Sequence, residues 1–197
     1  MSANPKSQNP KMTIEEFYKF EEQSDIRHKY LQGHVVAMAG ASRRHNQITS
    51  TLNFLLYGHL RDKDCEVNGG EMMVKIETVN VLTYPDFSVF CGEPKFTEDT
   101  IATLLNPILI IEILSPSTES YDPGKKFQYY RELPSLQEYV LISQDSARIE
   151  RFVRKANNIW ELSDASGLHE AIILTSIGYK LMLADVYENV NFDDEEN

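Results

Sequence analysis

Only two cysteines and one tryptophan occur in the 197 residues. Cys65 and Cys91 match no zinc-ligand spacing, and two thiols are too few for a disulfide scaffold, so a reducing cytoplasm fits. No apolar stretch reaches the length of a membrane span, because the longest, 108–114, is interrupted by Glu112. Residues 1–11 are rich in Asn, Pro, Ser and Lys and lack an apolar core, which excludes a secretory signal and reads as a flexible lead-in. Internal repeats and low-complexity segments are absent too. Basic residues are in short supply: 19 Lys and Arg stand against 30 Asp and Glu, a formal net charge of −11. That balance argues against coating nucleic acid or an anionic membrane through the overall field, and leaves room only for a local basic cleft. Part of the excess lies in Asp193, Asp194, Glu195 and Glu196, within a stretch, 191–197, that reads as an acidic solubilising tail.

A hydrophobic content of 42% supports one sizeable core, and the length favours a single domain over 12–190. Thr13 with Glu16 three residues on forms a capping box that opens a helix to about Gln23, with Ile14, Phe17 and Phe20 inward. Gln32-Gly33 turns a hairpin between Tyr30-Leu31 and the run from His34 to Ala39. Ser42 caps a helix to about Arg61, along which Ile48, Leu52, Leu55, Leu56 and Leu60 recur at helical spacing. Glu66-Val67, Glu71 to Glu77 and Val81 to Phe90 read as an antiparallel meander. A strand at Ile108 to Leu114, a helix from Asp122 to about Leu133 and a strand at Glu138 to Ile142 then imply a right-handed crossover and a parallel pair. Antiparallel strands near Arg148 to Lys155 and Trp160 to Leu162, and a short helix at Leu183 to Tyr187, complete the chain. The whole is an α/β (α+β) fold with a mixed sheet flanked by helices.

Glu112 is the most informative residue, a carboxylate inside Ile108-Leu109-Ile110-Ile111-Glu112-Ile113-Leu114, which reads as a strand buried on both faces. A buried unpaired carboxylate costs several kcal/mol, so Glu112 needs a cationic partner, for which a metal ion is the natural candidate. The alternative is a strand end emerging at the surface, with Glu112 solvated or paired to a lysine. Pro85 within Tyr84-Pro85-Asp86 implies an edge or a bulge, and alternation sets Asp86 and Ser88 on one face. If the Asp86 and Glu112 strands are neighbours, their carboxylates converge on one hard cation, with water completing the shell as magnesium prefers.

Pro85-Asp86, Ile111-Glu112-Ile113-Leu114-Ser115-Pro116-Ser117-Thr118, and Asp122 with Lys126 and Tyr130 together resemble the Uma2 family of restriction-endonuclease-like proteins, within the PD-(D/E)XK nuclease superfamily. The stretches Met12 to Phe17, Arg27 to Gly33, Ala39 to Asn46 and Leu133 to Tyr139 extend the resemblance over nearly the whole chain. The resemblance implies Asp86 and Glu112 as ligands of Mg2+ or Mn2+, with the Ile113 backbone carbonyl as a third. The superfamily's usual lysine two residues after the Glu is missing, since position 114 is Leu, and Lys126 is implied as the catalytic lysine in its place. Asp122 and Tyr130 share its helix face at i−4 and i+4 and are supporting candidates, though Asp122 before Pro123 is also a good helix cap. His45 stands near where the superfamily often places an acid, and either contacts a phosphate or simply begins a helix. His34 takes a position where related sequences often carry Glu, and Glu71 is a candidate neighbour of the site.

The function expected is magnesium-dependent hydrolysis of DNA phosphodiester bonds. Arg43, Arg44, Lys125 and Arg131 would supply the basic rim for DNA, and cutting two strands suggests a homodimer. The alternative is a non-catalytic module of the same fold that contacts nucleic acid or a protein. A glycosidase-like acid/base pair ranks below both, because the one Trp160 lies far along the chain.

Overall fold

The computed structural model describes residues 11–114 and 123–193. The expected Ser115-Pro116-Ser117-Thr118 turn, Asp122, and most of both terminal segments lie outside the described residues. Helix α1 (Ile14–Glu22) starts at a complete capping box: Thr13 Oγ1 accepts the Glu16 N–H at 3.2 Å, and Glu16 Oε2 accepts the Thr13 N–H at 2.8 Å. Phe17 is fully buried, whereas Phe20, expected inward, is 39% exposed and meets the His28 ring edge-on. Strands β1 (His28–Leu31) and β2 (His34–Ala37) form the hairpin, with Gln32 and Gly33 both at positive φ in its turn. Ser42 Oγ accepts the His45 N–H at 3.0 Å and caps α2 (Arg43–Leu60), which buries Ile48, Leu52, Leu56 and Leu60.

There follow β3 (Cys65–Gly69), β4 (Met73–Ile76), β5 (Val81–Thr83), β6 (Phe87–Cys91), β7 (Thr103–Leu104) and β8 (Leu109–Leu114). Helix α3 (Pro123–Tyr130) leads to β9 (Glu138–Ser143), β10 (Arg148–Arg154), β11 (Trp160–Ser166), β12 (Ala171–Leu174), β13 (Tyr179–Met182) and α4 (Leu183–Val186). The main sheet has the order β11-β10-β9-β8-β6-β3 and is mixed, with β8 and β9 parallel on either side of the α3 crossover. A second sheet runs β2-β1-β5-β4-β7, and β12 pairs β13 apart from both. The short β7 and the β12–β13 hairpin are additions to the elements read from sequence.

Two readings are corrected. The expected meander is divided between the two sheets, with β3 in the main sheet and β4 in the second, and its strand from Val81 to Phe90 is two strands: β5 pairs β1 and β4, while β6 pairs β3 and β8. Pro85 is the physical reason, because it cannot donate to a ladder and so marks the point where the chain changes partners. Cys65 and Cys91 are register partners across β3 and β6 and are joined as a disulfide. Antiparallel pairing brings them face to face despite a sequence separation of 26, and the bond removes the cysteine argument for a reducing compartment.

Alternation divides the main sheet's side chains between two cores. Phe87, Val89, Ile111 and Ile113 face α2 through Ile48, Leu52 and Leu56. Phe90, Ile110, Tyr139 and Leu141 face α3 and the second sheet, meeting Tyr130, Val74 and Ile76. No helix among the described residues is long and apolar enough to cross a membrane. Leu52 is wholly buried, so Leu52→Ala is expected to cost about 2–5 kcal/mol. Phe54, on the same helix but 77% exposed, should change stability by less than about 0.5 kcal/mol when cut to Ala. Urea unfolding of the two variants checks the contrast.

Candidate active site

The β6–β8 ladder matches Phe87 with Ile111 and Ser88 with Ile110. Continued one step, that register sets Asp86 opposite Glu112, and a further step sets Pro85 opposite Ile113. Glu112 lies on the α3 side, where Lys126 and Tyr130 meet it, and Asp86 is a bend just before β6. Pro85 has no N–H to give the Ile113 carbonyl. The Ile113 N–H goes instead to Asp86 Oδ2 at 2.7 Å. Because the N–H and C=O of a strand residue lie along the same edge, the Ile113 carbonyl is also directed toward the Asp86 strand. A proline followed by an aspartate thus ends the ladder and brings a carboxylate onto the backbone of the facing strand.

Asp86 Oδ1 lies 3.1 Å from His45 Nε2, which the cap at Ser42 holds in the first turn of α2. Glu112 is only 3% exposed, and both its oxygens are engaged. Oε2 accepts from Lys126 Nζ at 2.8 Å and Oε1 accepts from the Tyr130 hydroxyl at 2.7 Å. Lys126 and Tyr130 are one helical turn apart on α3, so a single helix face supplies both donors. The buried carboxylate therefore meets the requirement read from the sequence through a lysine and a phenol of the following helix.

Sequence reading assigned no role to Lys29, yet its amine joins this cluster. The β1–β5 register pairs Tyr30 with Leu82, which brings Lys29 alongside Thr83, just before the sheet switch. The Lys29 amine lies beside Lys126 and in the field of Glu112 and Asp86. Both lysines line a cavity of about 30 Å³ with Thr83, Tyr129 and Tyr130, floored by Ile76 and Val81. The only local signal was a lysine alternating with the buried His28 and Tyr30, and that pattern ordinarily marks a solvent face.

The charges tune one another. Burial works against the Lys126 ammonium, but the charge and hydrogen bond of Glu112 outweigh it and raise its pKa. Burial and then the neighbouring Lys126 charge push Lys29 the other way, below its usual value. Burial also opposes protonation of His45, and the hydrogen bond and charge of Asp86 overcome it, lifting His45 above the ordinary 6.5. Burial, reinforced by Glu112, raises Tyr130 well above the usual phenol range and keeps it a donor.

The remaining candidates are placed less centrally. Arg43 is exposed at the start of α2. Arg44 turns toward the C-terminal segment, pairing with Asp145 at 3.6 Å and donating to the Phe192 carbonyl at 3.1 Å. Lys125 is exposed beside Lys126, and Arg131, past the end of α3, pairs with Glu132 at 3.6 Å. Glu71 is taken up by Arg27 at the surface, and His34 is exposed. No group of three or more His, Cys, Asp or Glu that could hold a metal occurs among the described residues. The donor set present, two opposed carboxylates and an adjacent carbonyl, is all oxygen. It fits a hard cation such as magnesium, which binds through one or two carboxylates and retains water.

A family model described as "Uma2: Putative restriction endonuclease" matches residues 14–184. The chain belongs to the Uma2 family. Two relatives in Synechocystis sp. (strain ATCC 27184 / PCC 6803 / Kazusa) are the uncharacterized proteins slr1290 and sll1609. The first is 33% identical over 96% of this chain and 98% of its own length, the second 36% identical over 79% and 88%. A solved structure described as "a putative nuclease belonging to DUF820", from Anabaena variabilis ATCC 29413, superposes with a TM-score of 0.74. It covers 90% of this chain and 98% of that one at 18% identity, a likeness of fold. The Uma2 chain thus has the nuclease-like mixed sheet with flanking helices that its sequence resembles.

Two outcomes are expected from this geometry. Tyr130→Phe removes a donor from the buried Glu112 carboxylate and should lower stability by about 1–3 kcal/mol, read by chemical denaturation. Because the folded protein raises the His45 pKa, that residue adds stability that is complete below the unfolded value near 6.5. The contribution is lost as pH rises through the higher folded value. Asp86→Asn should flatten this part of the stability–pH curve and move the His45 imidazole titration downward by NMR. An unmoved titration contradicts the Asp86–His45 coupling.

Proposed function

We propose that this Uma2 chain is a magnesium- or manganese-dependent endonuclease that hydrolyses DNA phosphodiester bonds. The observation that carries the reading is the meeting of Asp86 and Glu112 at the end of the β6–β8 ladder, where Asp86 accepts the N–H of Ile113, next to Glu112, and a lysine amine is hydrogen-bonded to Glu112. Asp86, Glu112 and the Ile113 carbonyl would hold the ion. When bound, such an ion supplies Lewis acidity toward a phosphoryl oxygen and toward water. Lys126, kept charged by Glu112, is the group to orient the attacking water and to face the negative charge that develops on phosphorus. Tyr130 fixes the Glu112 carboxylate, and His45 fixes Asp86 while carrying a proton at Nε2 that a phosphate oxygen can also accept.

Arg43 and Lys125, exposed near His45 and Lys126 in sequence, are the groups for phosphate contacts, joined by Arg131 at the end of α3. So few cations on a chain of net charge −11 imply modest affinity that falls steeply with salt. Double-strand cutting would call for two such sites in a homodimer, and the cytoplasm is where the chain would meet its DNA.

One observation favours a second reading, a nuclease-fold module that contacts nucleic acid or a protein without turnover. Lys29, Lys126 and His45 already balance the two carboxylates, and no third acidic ligand joins them among the described residues. Plasmid cleavage separates the two. The wild type should nick DNA only with magnesium or manganese, and Lys126→Ala should lose roughly a hundredfold or more of that rate while folding and weak DNA association survive. Lys125→Ala should weaken binding slightly. Cleavage undiminished in Lys126→Ala refutes the role of that lysine, and no wild-type cleavage even at low salt favours the binding module.

A further inference from the structure

The geometry points to Lys29 as an internal counter-ion that competes with a divalent cation for the Asp86–Glu112 pair and sets how tightly the site takes metal. The inference rests on the reading of those two carboxylates as metal ligands and adds a residue that controls their affinity.

Three observations converge on it. Lys29 reaches the site from the second sheet, a different element from the α2 and α3 residues that touch the carboxylates. Its ammonium sits against that of Lys126, an unfavourable neighbour by itself, and the arrangement is offset only because Glu112 and Asp86 lie in the same field. Beside the two carboxylates stand the two amines and the His45 imidazole. A divalent cation entering this half-buried space adds two positive charges at close range, so its affinity depends on whether an amine withdraws. Lys126 is fixed to Glu112 Oε2 at 2.8 Å, and Lys29 has no direct carboxylate bond among those described. Beside Lys29 lies the cavity of about 30 Å³, walled by Leu31, Ile76, Val81 and Tyr129. That volume holds about one or two waters, and it is shared with Lys126 and Tyr130, the two groups bonded to Glu112.

Calorimetric titration of the full chain with MnCl2 at one fixed pH tests this. Lys29→Met and Lys29→Gln should each tighten the Mn2+ Kd by roughly tenfold or more, whereas Lys29→Arg, which keeps the charge, should stay near wild type. Two neutral variants guard against one that misfolds, with thermal melts as the control. Asp86→Asn in the Lys29→Met background should abolish the gain. An unchanged Kd in both neutral variants overturns the role of Lys29, and if Asp86→Asn still removes binding the carboxylate site itself stands. Mn2+ binding that survives Asp86→Asn undiminished overturns the site reading and the inference together. Absence of binding in wild type and in both neutral variants overturns both as well.

Discussion

Asp86 and Glu112 lie together at the end of the β6–β8 ladder in a largely buried setting, and like charges in one field repel. Glu112 at 3% exposure has little water to offset its charge. The described partners answer that constraint: Lys126 and Tyr130 on Glu112, His45 and the Ile113 N–H on Asp86, and Lys29 beside Lys126. Burial opposes the charge on all three basic groups; the carboxylates overcome it at Lys126 and His45, and at Lys29 burial and the neighbouring Lys126 prevail.

Pro85 is what allows the constraint to exist. Without its break, Val81 to Phe90 would run on in one ladder, and Asp86 would be an ordinary strand residue. With it, β5 stays in the second sheet and β6 enters the main one, so the two sheets meet at the carboxylates. That junction brings Lys29 from β1 close to Lys126 from α3. It also gives the Ile113 carbonyl a partner strand with no N–H at the matching position. The Ser42 cap does the corresponding service on the other side of the main sheet, fixing the first turn of α2 so that His45 reaches Asp86.

Much of this was legible in the chain itself, and for local reasons. A carboxylate in an aliphatic run signals a demand for a partner, a capping box signals a helix start, and Lys126 with Tyr130 at i, i+4 signals a shared helix face. The Uma2 resemblance joined those signals into one site, and the family match extends over residues 14–184. What escaped depends on registers between segments distant in sequence. Lys29 and Thr83 meet only through β1–β5 pairing, and Cys65 and Cys91 only through β3–β6 pairing. Pro85 was read as an edge or a bulge within one strand and not as a change of sheet, since a proline says that it cannot donate and not where the chain goes next. Arg44 looked like a rim cation because its anchor, the Phe192 carbonyl, lies at the far end of the chain.

The most direct measurement is an anomalous-difference map from crystals grown with Mn2+. A metal centre built on the opposed carboxylates predicts one strong peak bridging Asp86 and Glu112, with the Ile113 carbonyl within coordination distance and the Lys29 amine displaced. A peak elsewhere, or none while Lys126 and Lys29 keep their places beside Glu112, would contradict it.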